Sequence, residues 1–316
     1  MTTTMPPATS RSTSSDSAER IARLSRASAK RVIDPDRDLP GSVGDGQLIP
    51  DELLTVAGLG LDLSAEQRRV LSREEIASIT DAGIRFESVL NAGFSMQIVG
   101  ARDLTDPRIT FLLHEIGEET RHQRLFIRLL EQIRPQAVDP LDRGIARRLM
   151  RFGSRTIIKL PALLYTLVLA GEEIPDLFQK LASEHPDTDP FLKEVNRYHR
   201  QEEARHLSYA RTVLPEVWAE ASAVERYAVR RIAPFLIRGM FETIVHPGVY
   251  AEVGLPTWET WKAANRSPQR IALRHEATRP VLAALLAAGA IRPGRVNSRW
   301  QSLCGVDAAG QPVVAT

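Results

Sequence analysis

The chain has 316 residues, 43% of them hydrophobic and 25% charged, with a formal net charge of +2. These totals fit an ordinary folded globular protein and exclude a fibrous or wholly disordered one. With no strong field of either sign, nucleic acid and anionic membrane are disfavoured as main partners, and a small molecule is favoured.

The single cysteine, Cys304, rules out an intrachain disulfide and any cysteine-rich zinc or iron–sulfur spacing. A reducing cytoplasm is the expected compartment. The opening residues lack the apolar core of a secretory signal. The longest apolar stretch, Leu160 to Gly171, falls well short of the roughly 20 residues that cross a bilayer. Residues 1–45, rich in Ser, Thr, Pro and Arg, are expected to form a disordered or extended tail.

From Ser72 onward helical periodicity dominates, so the fold is predicted all-α. The first long helix is expected from Ser72, an N-cap with Glu75 three residues on, to about Gly100, with Ile76, Ile84, Glu87, Leu90 and Phe94 on its inward stripe. The second begins at Asp106-Pro107 and ends before Pro135, with Phe111, Glu115, Glu119, His122, Phe126 and Leu129 along one side. The third, about Arg143 to Ala182, is apolar nearly all round at its centre and carries Glu172 and Glu173. The fourth, about Pro190 to Val213, presents Val195, His199, Glu203, His206 and Ala210, with Pro215 after its end. Further helices near Val224 to Val245 and Arg274 to Ala288 are expected to flank the bundle, within one domain over 46–290 followed by an irregular tail over 291–316.

Five residues recur almost unchanged, Glu118-Glu119-Thr120-Arg121-His122 and Glu202-Glu203-Ala204-Arg205-His206. Each copy sets a carboxylate and an imidazole three apart, on one helix face about one turn apart. A single Glu-x-x-His is a weak signal, often no more than exposed ion pairs on a solvated helix. Here both copies sit centrally in long helices, and His199, Glu203 and His206 share a face with Val195 and Ala210, so the charges point inward. Metal coordination is one of the few ways to offset such burial. Glu118, Arg121, Glu202 and Arg205 lie off that stripe and are expected as solvated groups or as groups that orient the ligands.

Ferritin-like bundles pair two Glu-x-x-His helices with a lone Glu from each of two others. Glu87 fits the first lone position. For the second, periodicity favours Glu173 over Glu172, but Pro175 perturbs the helix nearby and leaves the choice open. His114 sits off the stripe and His185 falls in a loop, while His246 and His275 are expected to be structural. Mixed carboxylate and imidazole donors suit iron or manganese better than zinc or calcium.

The order Glu, Glu-x-x-His, Glu, His-x3-Glu-x-x-His, with the stretches RASAKRVIDPDRDLP, GIRFESVL, HEIGEETRH, LAGEEIPD and VNRYHRQEEARH, resembles the p-aminobenzoate N-oxygenase family of ferritin-like di-iron oxygenases. The resemblance spans roughly residues 25 to 290, and the third histidine is its most specific mark. It implies a ferritin-like four-helix bundle with additional flanking helices, in proteins that are often dimers. Its implied ligands for two Fe ions cycling between Fe2+ and Fe3+ are Glu87, Glu119, His122, Glu172, His199, Glu203 and His206, with Glu172 preferred by its distance to His199. The implied reaction uses O2 and an external electron donor, a redox partner protein or reductant, to oxygenate an amine. The same centre performing hydroxylation, desaturation or oxidative cleavage, and a non-oxygenase iron-binding protein, are the alternatives.

Overall fold

A computed structural model describes residues 9–30 and 32–313. The first eight residues and the last three, parts of the expected tails, lie outside it. Twelve α-helices form the described chain: α1 (Thr9–Lys30), α2 (Pro35–Asp38), α3 (Ala65–Gly100), α4 (Pro107–Ile133), α5 (Gly144–Ile157), α6 (Pro161–Glu184), α7 (Pro190–Glu220), α8 (Ala223–Tyr227), α9 (Ala233–Thr243), α10 (Thr257–Arg266), α11 (Pro268–Ala287) and α12 (Ser298–Cys304). A π-helical turn, Ala228–Ile232, joins α8 to α9. Among the described residues the β-structure amounts to one isolated bridge, between Val306 and Pro312. The fold is an all-α bundle.

The bundle proper is α3, α4, α6 and α7, with α3 packed on α4 and α6 on α7. Helix α1 lies across α4 and α7, while α11 backs α6 and α12 closes against α11 and α9. The core is continuous through these layers and includes Phe94, Phe111, Leu125, Val168, Leu169 and Ala210. Phe111 stacks on Tyr209 with ring centroids 4.3 Å apart, tying α4 to α7. No helix among the described residues is long and apolar enough to cross a membrane.

Several element boundaries differ from the sequence reading. Helix α3 starts a full two turns earlier than Ser72, because Ser64 and Gln67 make the reciprocal capping pair. Ser72 and Glu75 lie buried inside the helix instead, where Ser72 Oγ accepts from Leu48 N and the Glu75 carboxylate accepts from Thr55 N, holding the preceding loop. The expected third helix divides at Leu160-Pro161 into α5 and α6, as the conformational restriction before proline favours. Pro215 falls within α7, which continues to Glu220.

Both tails also contain structure. Within residues 1–45, α1 places Ile21 in the core, and Asp34 and Asp36 pair with Arg124. Within 291–316, α12 buries Trp300 completely.

Candidate metal centre

Four helices bring the recurring motifs together. Asp106 and Asp189 cap α4 and α7, accepting from Arg108 N and Leu192 N, and each is followed by a proline in the first turn. These caps fix where each helix begins and so which face its central Glu and His present. Glu87 from α3, Glu119 and His122 from α4, Glu172 from α6, and His199, Glu203 and His206 from α7 are all buried.

Their atoms meet in one cluster. His122 Nδ1 lies 3.3 Å from Glu119 Oε2 and 3.2 Å from Glu203 Oε1. His206 Nδ1 lies 3.0 Å from Glu203 Oε2 and 3.4 Å from Glu119 Oε1. Glu119 and Glu203 therefore stand between the two imidazoles, each with an oxygen toward either side. His199 Nε2 is 3.3 Å from Glu87 Oε1 and 3.4 Å from Glu203 Oε1.

The outer nitrogens of the same rings are held reciprocally. His122 Nε2, on α4, is 3.0 Å from Glu202 Oε2 on α7, and His206 Nε2, on α7, is 2.8 Å from Glu118 Oε2 on α4. Each repeat thus supplies the acceptor for the other's imidazole. Donation of Nε2–H to these carboxylates leaves Nδ1 as the inward donor atom in the neutral ring. Glu118 and Glu202 are buried, which excludes the solvated alternative for them and places them as orienting groups. Arg205 completes the ring at 2.9 Å from Glu118 and 3.4 Å from Glu202, and Arg121 lies 3.5 Å from Glu202. Helix α1 covers this layer, with Ser28 Oγ accepting from Arg205 Nε at 3.1 Å. A single-helix projection puts Glu118 and Glu202 off the ligand stripe, and the pairing of α4 with α7 together with α1 covers them.

Glu173 is committed elsewhere, in an ion pair with Arg211. Glu172 is buried beside Glu203 and Glu119, whose charges add to burial in raising its carboxyl well above the ordinary range. Two further residues that the sequence motifs do not mark join the cluster. Gln179 Oε1 on α6 accepts from His199 Nδ1 at 3.0 Å. Glu115, on the α4 stripe, groups with Glu119 and His206 so that one ligand atom from each lies within 4.8 Å of the others.

The electrostatics show a site short of positive charge. Burial pushes the Glu87 carboxyl well up, reinforced by Glu119, and drives Glu115 to about 8. His122 and His206 are raised well above the usual imidazole range: burial opposes their charging, but their carboxylate partners overcome it. His199 falls to about 4 through burial and the neighbouring His122 charge. Glu87 Oε2, Glu172 Oε1 and both oxygens of Glu115 are buried without a hydrogen-bond partner. Unpaired buried oxygens are costly, and cations among them would offset that cost. The donor set of carboxylates and imidazoles around shared Glu119 and Glu203 fits a pair of transition-metal ions. His114, His185, His246 and His275 belong to none of the described groups that could hold an ion.

An all-α bundle enclosing a carboxylate–imidazole cluster is the class of protein defined here. A family model described as P-aminobenzoate N-oxygenase AurF matches residues 14–289, and the chain belongs to that family. Among curated proteins it is 28% identical over 175 residues to the uncharacterized proteins Mb0909 of Mycobacterium bovis and Rv0885 of Mycobacterium tuberculosis. That match covers 54% of this chain and spans about half the length, 50%, of those relatives. A solved R2-like ligand-binding oxidase, a single-substitution mutant with an anaerobically reconstituted Mn/Fe cofactor, superposes with a TM-score of 0.49 at 12% identity, covering 86% of this chain and 93% of that one.

Proposed function

We propose that this protein is an O2-dependent di-iron monooxygenase that N-oxygenates an amine, with an arylamine as the substrate class. The observation that supports this most is the reciprocal arrangement of the two Glu-x-x-His copies, with Nδ1 of His122 and His206 facing Glu119 and Glu203 while each Nε2 is held by the opposite helix. Family membership supports the reaction class.

In this reading Glu87, Glu119, His122, Glu172, His199, Glu203 and His206 hold the two ions. Bound iron would supply O2 binding and redox chemistry that no side chain here offers. The balanced conversion takes the amine R–NH2, O2, two electrons from an external reductant and two protons to R–NHOH and water.

The chain's own residues set the geometry and the dielectric. Glu202, Glu118 and Gln179 fix the three imidazoles by their outer nitrogens, so little reorganisation accompanies metal loading. Burial opposes charge on Glu118 and Glu202, but the imidazoles of His206 and His122, aided by Arg205 and Arg121, hold both carboxyls below the usual range, so they stay ionised as acceptors. Phe126, buried with its ring centroid 5.0 Å from that of His199, supplies an apolar wall on the α4 side. Phe94 and Leu163 to Leu169 belong to the packed core.

The test is direct. Protein purified with its metal should contain about two iron ions per chain under this ligand count, and the reduced form given 18O2 and an arylamine should yield one labelled oxygen on nitrogen by mass spectrometry. Zinc alone in the site, or no arylamine oxidised across a broad panel, would overturn the assignment.

A further inference from the structure

We infer that Glu115 is an additional protein ligand, reserved for the ion on the His206 side of the centre. The inference rests on the dimetal reading above and extends it.

The ligand positions on α7 are His199, Glu203 and His206, spaced i, i+4 and i+7. On α4 the same spacing falls on Glu115, Glu119 and His122. The repeat is therefore longer than the five residues that recur in sequence: each Glu-x-x-His is preceded, one turn earlier on the same face, by a side chain able to bind metal. The two helices pack against each other, so a residue one turn before the Glu on one helix meets the His of the other. His199 of α7 groups with His122 of α4 and Glu87. Glu115 of α4 groups in the same way with His206 of α7 and Glu119. Glu115 is thus the counterpart of His199 under the local two-fold relation between the motifs.

An independent observation points to a cation. Glu115 is 1% exposed, and neither of its oxygens has a hydrogen-bond partner. Other buried carboxylates outside the cluster are satisfied: Glu75 accepts from Thr55, and Glu74 accepts from the backbone of Gln136 and Ala137. A carboxylate left bare at the end of a shared metal-binding face is placed to coordinate.

The consequence is an unequal pair of sites. One ion would take two imidazoles and Glu87, and the other one imidazole with Glu115 and Glu172, sharing Glu119 and Glu203. The second site is the richer in oxygen and so the better match for a harder ion.

The experiment is an anaerobic Mn2+ titration of the metal-free full chain by equilibrium dialysis, comparing wild type with Glu115→Gln and Glu115→Met. Both changes keep side-chain length, and thermal melting establishes that each variant is folded. Wild type should take up two Mn2+. Each variant should keep one at unchanged affinity and bind the other about 100-fold more weakly, the loss of a direct ligand being at least as severe as that of an orienting group. Two Mn2+ at wild-type affinity in both folded variants would overturn the role of Glu115, as would loss of both ions. Failure of the wild type to bind Mn2+ at all would instead remove the dimetal reading itself.

Discussion

Gln179 Oε1 accepts a hydrogen bond from His199 Nδ1 across 3.0 Å, so a neutral side chain on α6 fixes which nitrogen of an α7 imidazole faces the cluster. With Nδ1–H donated outward, the Nε2 lone pair is directed at Glu87 and Glu203. Replacing Gln179 by Leu removes that control with little change in volume. Metal affinity is expected to fall about 10-fold, the lower end of the range for lost orienting partners. Dialysis against a competing chelator measures it, and an unchanged affinity would make the contact incidental.

The reciprocal pairs make a symmetric prediction. Glu202→Gln and Glu118→Gln each replace an ionised acceptor of an imidazole N–H with a neutral amide, one acting on His122 and the other on His206. Each change is expected to weaken one ion by about 10- to 100-fold, and the two variants should affect different ions. Circular dichroism should show an intact fold. Tyr198 also donates to Glu202, at 3.0 Å, and Arg205 Nη2 donates to Glu118, at 2.9 Å, so each variant disturbs a second bond and should lower stability as well.

Gly171 sits immediately before Glu172 on the buried face of α6, and a Cβ placed there would overlap the ring of Phe86. Helix propensity alone would favour alanine. Packing should win, because the half-buried Phe86 ring, packed against the core, would have to shift as a rigid unit to admit the methyl group. Gly171→Ala is expected to destabilise the protein by about 1–3 kcal/mol and to lower metal affinity through displacement of Glu172, both read from melting curves with and without metal. A stabilised variant would show that Phe86 moves aside freely.

The central stripe of each bundle helix was legible because a period of 3.6 residues converts spacing directly into a shared face. Glu119 with His122 and Glu203 with His206 needed nothing more. What one helix cannot show is its neighbours: Glu118 and Glu202 project onto a flank that is solvated only if α4 and α7 are considered apart from each other and from α1. Gln179 is equally silent, since its role depends on the register of α6 against α7. The misplaced start of α3 has a different cause. Two Ser-x-x-Glu/Gln sequences compete there, and the upstream one prevails because the loop at Leu48 and Thr55 takes the polar groups of Ser72 and Glu75. In the tails, polar composition outweighed the few apolar residues that anchor α1 and α12.

Trp300 illustrates that last point and carries its own test. It is fully buried in the core among residues of the flanking helices, although it lies in a stretch whose composition suggests an irregular tail. Trp300→Ala is expected to cost about 3–5 kcal/mol, the range for deleting a buried aromatic ring. Chemical denaturation measures it; a loss under about 1 kcal/mol would mean that α12 is dispensable to the fold.

Glu75 gives a pH signature distant from the metal cluster. Burial raises its carboxyl to about 7 despite the hydrogen bonds from Thr55 and the charge of Arg270, both of which pull it down. Because the folded value lies above the unfolded one, the folded chain holds a proton that the unfolded chain has lost. The associated stability is fully present below about pH 4.5, declines as pH rises toward 7, and is gone above that. The shift corresponds to roughly 3 kcal/mol at most. Gln resembles the protonated acid and does not titrate, so Glu75→Gln should gain stability relative to wild type as pH goes from 5 to 8. Melting the two proteins side by side across that range checks the sign. A difference that stays flat or moves the other way would mean that Thr55 and Arg270 keep Glu75 ionised throughout.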